Sequence, residues 1–250
     1  MRSRLSIENH RGVMVPRWLG LWLAGAATAS TLIVAWSRPS GPVDRGGWGA
    51  LVATLVVFAA GLVDDLAPAG PRGLGDHLRA LSSGRMSTGI LKLVVVVGAA
   101  TVVVGVQDVG TAPVRLAGVV LVAGCANVWN GLDVRPGRAL KFGLVTIVGL
   151  VGLPVHLLPT LPGVALGSAV ALGPDLRERA MLGDAGANLL GFTIGLGLFL
   201  VLPGWGVVGA SAVVVALNLL AETVTFSRAI GSTAPLRWFD EIGRLPDRGR

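Results

Sequence analysis

The chain has 250 residues, 52% of them hydrophobic and 14% charged, with a mean hydropathy of +0.72. An average soluble domain carries about 25% charged residues, so the composition excludes an ordinary soluble enzyme. The formal charge of +7 would suit a nucleic-acid binder, but the basic residues sit in short blocks between apolar runs and report membrane topology instead, so no nucleic-acid partner is expected.

In chain order, Arg2, Arg4, Arg11 and Arg17 precede an uncharged run from Trp18 to Ser37. It lacks an A-x-A-like cleavage site and exceeds the length of a signal core, so a first membrane helix is expected over 18–37, after a cytoplasmic segment 1–17. A bilayer core of roughly 30 Å needs about 20 apolar residues per crossing. By that measure a second helix is expected over 48–64, ending on Asp64 and Asp65, and a third over 88–107. The loop between them carries Arg72, Asp76, His77, Arg79 and Arg85. A fourth helix, 114–131, holds Asn127 and Asn130 and is followed by Asp133; Arg135, Arg138 and Lys141 come next. The uncharged run Phe142 to Pro174 divides at Pro154, Pro159 and Pro162 into a fifth helix, 138–156, and a sixth, 160–174. Asp184 lies just before the seventh helix, 186–203; Pro203-Gly204 separates it from the eighth, 207–227, and residues 228–250 form a second cytoplasmic segment. The expected fold class is therefore all-α: one polytopic membrane bundle over 1–250, with about eight transmembrane helices and both termini cytoplasmic. Gly191 and Gly195 form a G-x-x-x-G on the seventh helix, which predicts close helix packing. The single cysteine, Cys125, excludes an intrachain disulfide.

The orientation rests on lysine and arginine. With the N-terminus inside, the inner segments carry 18 of these residues and the outer loops only Arg38, Arg45 and Arg115, the bias of the positive-inside rule. Trp36, Trp48 and Trp205 then fall at the outer interface, and Trp18, Trp22, Trp129 and Trp238 at the inner one.

In that topology Asp64, Asp65, Asp133 and Asp184 collect at the cytoplasmic mouths of three helices, with Asn127 and Asn130 beside them. Acids at membrane depth are costly unless paired or set in a polar cavity, which marks them as functional candidates. Hard oxygen donors with few His or Cys nearby point to Mg²⁺ rather than zinc, with Mn²⁺ able to stand in its place. Carboxylates for a metal, among cations for phosphates, make the arrangement that phosphoryl transfer needs. Gly183 and Gly186 would let backbone approach a phosphate at a helix N-terminus. Each feature alone also has a structural reading. The Asp pair can be a solvated helix end, the asparagines interhelical hydrogen bonding, Gly-Asp-Ala-Gly a capped turn, and the arginines topology signals. His77 is either a ligand or an exposed loop residue, and Glu222 either a partner for Arg228 or a site residue.

The three motifs in this order, Gly61-Leu-Val-Asp-Asp65, Asn127-x-x-Asn130-x-x-Asp133 and Gly183-Asp184-x-Gly186, resemble those of the polyprenyl-phosphate N-acetylhexosamine-1-phosphate transferase superfamily. The likeness is greater to a compact bacterial branch, with runs similar to His77-Leu-Arg-Ala-Leu81, Leu132 to Lys141 and Arg179 to Asn188. The resemblance implies a plasma-membrane enzyme with its active site facing the cytoplasm. It would move a sugar-1-phosphate from a UDP-N-acetylhexosamine to a polyprenyl phosphate, releasing UMP, for cell-wall or surface glycan synthesis. It implies catalytic roles for Asp64, Asp65 and Asp184, with Asp184 and Asp65 as Mg²⁺ ligands. Asn127, Asn130, Asp133, Arg135, Arg138, Lys141, Gly183, Gly186 and Asn188 would contact substrate, and a homodimer is compatible with it.

The chain departs from the larger members in four places. On the expected spans it has no counterpart of their further helix at each end, and Leu66-Ala-Pro-Ala-Gly70 follows the Asp pair where they carry a lysine. Pro136 stands where they have a second aspartate, and Arg237-Trp-Phe-Asp-Glu241 with Arg244 replaces their histidine-rich loop. The alternative is a non-catalytic or regulatory relative, or a transporter, that uses the same acids to bind a lipid phosphate or a nucleotide sugar.

Overall fold

The computed structural model describes residues 6–9, 11–37, 43, 45–67, 88–150, 152 and 156–246. The loop with Arg72, Asp76, His77, Arg79 and Arg85 lies outside the described residues. Among the described residues six helices are long and apolar enough to cross a membrane: α1 (Leu19–Ser37), α2 (Arg45–Leu66), α3 (Thr88–Gln107), α4 (Ala112–Leu132), α7 (Gly183–Val201) and α8 (Gly204–Thr223). Between α4 and α7 stand two shorter ones, α5 (Arg138–Val148) and α6 (Leu161–Leu176). Of the eight spans expected from sequence, these two fall short of the usual crossing length. At 1.5 Å per residue the 11 residues of α5 reach only about 16 Å. The helix expected to run to residue 156 ends at Val148, and Gly149 follows as its C-cap, at the start of a stretch rich in glycine and proline. The last expected helix also breaks early, at Val224, and two short helices follow, α9 (Phe226–Ser232) and α10 (Ala234–Glu241).

The N-terminal segment, for which the sequence predicts no element, holds a small strand pair. Strands β1 (Ser6–Glu8) and β2 (Met14–Pro16) pair antiparallel, Ile7 opposite Val15. The turn forms because Asn9 Oδ1 accepts from the backbone N–H groups of Arg11 and Val13, at 2.9 and 3.0 Å, the local hydrogen bonding that makes asparagine a turn residue. The hairpin is latched to the α6–α7 connection: Asn9 Nδ2 donates to Glu178 at 2.6 Å, and Met181 N–H donates to the Pro16 carbonyl at 2.8 Å.

Helix α7 sits at the centre, 78% buried over its apolar window, and touches α1, α2, α4, α5 and α6. Apolar residues lie on every face of it, as befits a helix largely enclosed by others; Leu189, Leu190, Phe192, Ile194, Leu196 and Phe199 are all buried. The G-x-x-x-G packs as expected: a methyl on Gly191 would fall 2.4 Å from the Cys125 carbonyl oxygen of α4. At Gly61 of α2 a methyl would fall 2.6 Å from Ala185 Cα. Helix α8, only 17% buried, packs on α4 and leaves Val208, Val213 and Leu219 exposed, the surface a lipid-facing helix presents.

Candidate functional site

The tight α2–α7 approach brings the last turn of α2 against the first turn of α7, and there the acidic residues meet. Asp64 and Asp184 are both bonded to one lysine. Lys92, in the second turn of α3, donates from Nζ to Asp64 Oδ2 at 2.6 Å and to Asp184 Oδ2 at 2.7 Å. The Lys92 side chain is 13% exposed and that of Asp184 37%, so the trio lies at an opening rather than in the core.

Asp65, one residue along, turns the other way. Its side chain is 1% exposed. Oδ1 accepts from Arg17 at 2.7 Å and from the Asp184 N–H at 3.1 Å, and Oδ2 accepts from the Ala185 N–H at 3.0 Å. Arg17 also donates to the Asp65 carbonyl. Asp133, the C-cap of α4, accepts from the Gly183 N–H at 3.0 Å. A helix leaves its first N–H groups without intrahelical partners; here three consecutive ones are satisfied by carboxylates from two other helices. This corrects one expectation. The N-terminus of α7 does not present these groups to a phosphate, because Asp65 and Asp133 already hold them.

The glycines of the motif serve the same packing. Gly183 has φ +72°, in the left-handed region where a side chain is strained, and a methyl there would fall 2.9 Å from Asp65 Oδ2. Gly186 is packed against Gly20 of α1, whose Cα would lie 2.8 Å from an added methyl. In the described structure both glycines admit protein backbone and side chains.

The asparagines divide. Asn188 is buried and donates to the Asp184 carbonyl at 2.6 Å and to Asn130 Oδ1 at 3.3 Å, which joins α4 to the acidic centre. Asn127 instead donates to Asn218 of α8 at 2.6 Å, on an exposed face. Three residues of helix turn by about 300°, so a spacing of three walks slowly around the helix and does not keep Asn127 on the face of Asp133. The interhelical hydrogen bonding that the sequence left open is what these two asparagines do.

Arg138 and Lys141 are likewise placed away from the acids. Arg138 is buried and binds Asp240 through both oxygens at 2.8 Å, and Ser227 at 2.9 Å. Lys141 donates to the carbonyls of Phe239, Asp240 and Ile242 at 2.8, 2.5 and 3.1 Å, capping the end of α10. These two cations dock the C-terminal segment onto the bundle. Arg135 remains open, lining a cleft beside Asp133.

Burial pushes the Asp133 carboxyl well above the usual carboxylate range, and the nearby Asp175 and Asp184 carboxylates raise it further while the Gly183 N–H opposes them. Among the described residues no three His, Cys, Asp or Glu side chains form a ready metal cluster. Asp64 and Asp184 nevertheless suit a hard cation. Mg²⁺ characteristically takes one or two carboxylates and completes its shell with water and substrate phosphates, and the Lys92 ammonium already stands as a cation between these two.

Lys92 and Arg17 are the site residues that sequence reasoning passed over, both counted only as topology charges. A signal for Lys92 was present: it is the last charge before the uncharged run Leu93 to Gln107. A lysine does reach the Asp pair, from the next helix and not from the residues after it. Neither protein-family models nor curated proteins give a match to this chain.

Proposed function

We propose that this multi-pass protein is a phospho-sugar transferase, with Asp64, Asp184 and Lys92 as its reacting centre. A phosphate oxygen of a polyprenyl phosphate would bond to the β-phosphorus of a UDP-N-acetylhexosamine. The bond from that phosphorus to the bridging oxygen breaks, and UMP leaves with the electron pair. A phosphate monoester is already largely ionised near neutral pH, so the attacking oxygen needs no strong base. In this reading both termini and the site face the cytoplasm of a bacterial plasma membrane, and α5 with α6 complete the count of eight membrane-embedded helices.

The observation that carries the reading is the pair of carboxylates from α2 and α7 converging on one cation. Asp64 and Asp184 would hold Mg²⁺, which supplies charge neutralisation on the phosphates when bound. Lys92 keeps the two carboxylates facing each other with two of its three N–H donors and would offer the third to a phosphate oxygen. Asp65 and Asp133 act as positioning residues, because they fix the α7 terminus from which Asp184 projects. Arg135, on the rim beside Asp133, is the cation best placed to meet a charged substrate.

The test is UMP release by the purified protein in lipid, given Mg²⁺, undecaprenyl phosphate and a panel of UDP-sugars. Asp184→Asn is expected to abolish release while the protein still elutes as a folded species. Folded wild-type protein that releases no UMP from any UDP-sugar would overturn the transferase reading and favour a binding or transport role for the same acids.

A further inference from the structure

Helix α10 is amphipathic in the inverted sense. Its buried residue is Asp240, held through both oxygens by Arg138 of α5. At about 100° per residue, Trp238 points roughly opposite to Asp240, and Ala234 and Pro235 share its side of the helix. All three are exposed, Trp238 by 69%, and Ile242, the C-cap, is 42% exposed. Phe239 packs edge-on against Phe142 at 5.2 Å between ring centres, which with the Asp240 contacts fixes the roll of the helix. A helix lying on a protein surface in water turns its apolar stripe inward and its charges outward. Here the carboxylate is turned in and the indole out.

The surroundings of α10 indicate what covers that face. Helix α8, whose exposed Val208, Val213 and Leu219 suit contact with lipid, ends at Thr223, and α9 starts at Phe226. Phe226 packs on Gly131 in the last turn of α4, where a methyl would fall 2.8 Å from its ring. The chain thus turns where two long apolar helices end together, and α10 is held beside that turn by the first turn of α5. Spanning helices meet the headgroups at such ends, the depth that indole rings favour. Arg228 and Arg237 are both exposed, and neither side chain has a hydrogen bond or ion pair among the described residues, while Glu241 is the exposed carboxylate of α10. Arginines flanking an apolar stripe that carries tryptophan make the pattern of a helix lying in the plane of an anionic leaflet. Their long stems let the charge reach headgroups while the stripe sits deeper.

We propose that α10 is an interfacial membrane helix, with Trp238 and Ile242 seated at the headgroup–acyl boundary of the leaflet nearest the acidic centre and with Arg228 and Arg237 on anionic headgroups. The proposal rests on the multi-pass character of the chain and is independent of the transfer reaction.

Spin labels test it on the full-length protein carrying Cys125→Ala, in nanodiscs of mixed phosphatidylcholine and phosphatidylglycerol. A nitroxide at Trp238→Cys, or separately at Ile242→Cys, is expected to collide more with oxygen, which partitions into lipid, than with a water-soluble nickel chelate. Both positions are exposed, so labelling leaves the packed core intact, and each serves if the other variant fails to fold. The oxygen-to-nickel ratio should fall at least threefold in discs of phosphatidylcholine alone, and likewise in the variant Arg228→Gln/Arg237→Gln. Should that variant unfold, the lipid exchange decides. Labels open to nickel at both positions would mean that α10 faces water, and would overturn the proposal. Labels shielded from both relaxants would mean a protein contact, a second copy if the shielding vanishes at one chain per disc, and would overturn it too. A ratio indifferent to lipid charge would overturn the anionic contact.

Discussion

Asp65 on α2 caps α7 by accepting from the Ala185 N–H at 3.0 Å, across 120 residues of sequence. The same carboxylate neutralises Arg17, whose side chain is mostly enclosed. Removing it therefore strands a buried cation as well as two helix N–H groups. Breaking a buried pair by deleting one partner costs about 3–5 kcal/mol. Asp65→Ala is expected to lose stability of that order, measured by thermal unfolding in detergent. Asp65→Asn keeps an acceptor for the N–H groups and should lose less.

Lys92 predicts a link between metal and stability. Lys92→Met leaves Asp64 and Asp184 facing each other without a cation. The trio is partly exposed, so the penalty is smaller than for a fully buried pair, on the order of 2 kcal/mol. Mg²⁺ should recover much of that loss in the variant, and more than it adds to wild type, because binding to the folded state alone stabilises it. Unfolding temperatures with and without millimolar Mg²⁺ check both statements; equal Mg²⁺ responses in the two proteins would count against a cation site there.

The raised Asp133 carboxyl sets a pH dependence with a definite sign. Its folded-state value lies above the unfolded one, so the folded protein binds the proton more tightly. Stability contributed by this group is greatest below the unfolded carboxylate value, near 3.8, and declines as pH rises from there through the folded value. Asp133→Asn removes the charge while its amide oxygen can still accept from Gly183. The variant is expected to be more stable than wild type near neutral pH, with a flatter pH profile, and less active if Asp133 serves substrate. Chemical unfolding across pH 4–8 would show the difference in slope.

The C-terminal segment should release as a unit. Arg138 and Lys141 hold Asp240 and the end of α10 from within the bundle. Arg138→Ala takes from a buried carboxylate its two-oxygen partner and leaves Arg244 as its one ion pair among the described residues, and α10 is expected to detach. Limited proteolysis should then cut after Arg237 or Arg244 far faster than in wild type, while the apolar helices stay intact.

How much of this was legible in the sequence varies with the kind of signal. Uncharged runs located all six long helices, because apolar length is a one-dimensional property of the chain. Asp64, Asp65, Asp133 and Asp184 were identified as a group for the same reason, as rare acids at the ends of such runs. What each carboxylate does was not legible. Asp64 and Asp65 are adjacent, yet one faces Lys92 and the other the α7 backbone, a distinction made by a 100° turn of helix and by which neighbours lie on each side. Arg138 and Lys141 looked like substrate cations because nothing in the sequence shows that residues 234–242 fold back over them. The early end of α5 was hidden as well, since the glycines and prolines that follow it sit in a stretch as uncharged as a span.

The three N–H groups of Gly183, Asp184 and Ala185, tied to α4 and α2, have a wider consequence for how the molecule can move. Helix α7 is wedged by glycine contacts along its length and pinned at its start, so sliding or turning it would break several polar bonds at once. Among the described residues, side chains such as Lys92 and the outlying segments 6–17 and 226–246 could rearrange around a ligand without disturbing those bonds of α7. The spans act as a fixed chassis, and the adjustable parts are bolted to one end of it.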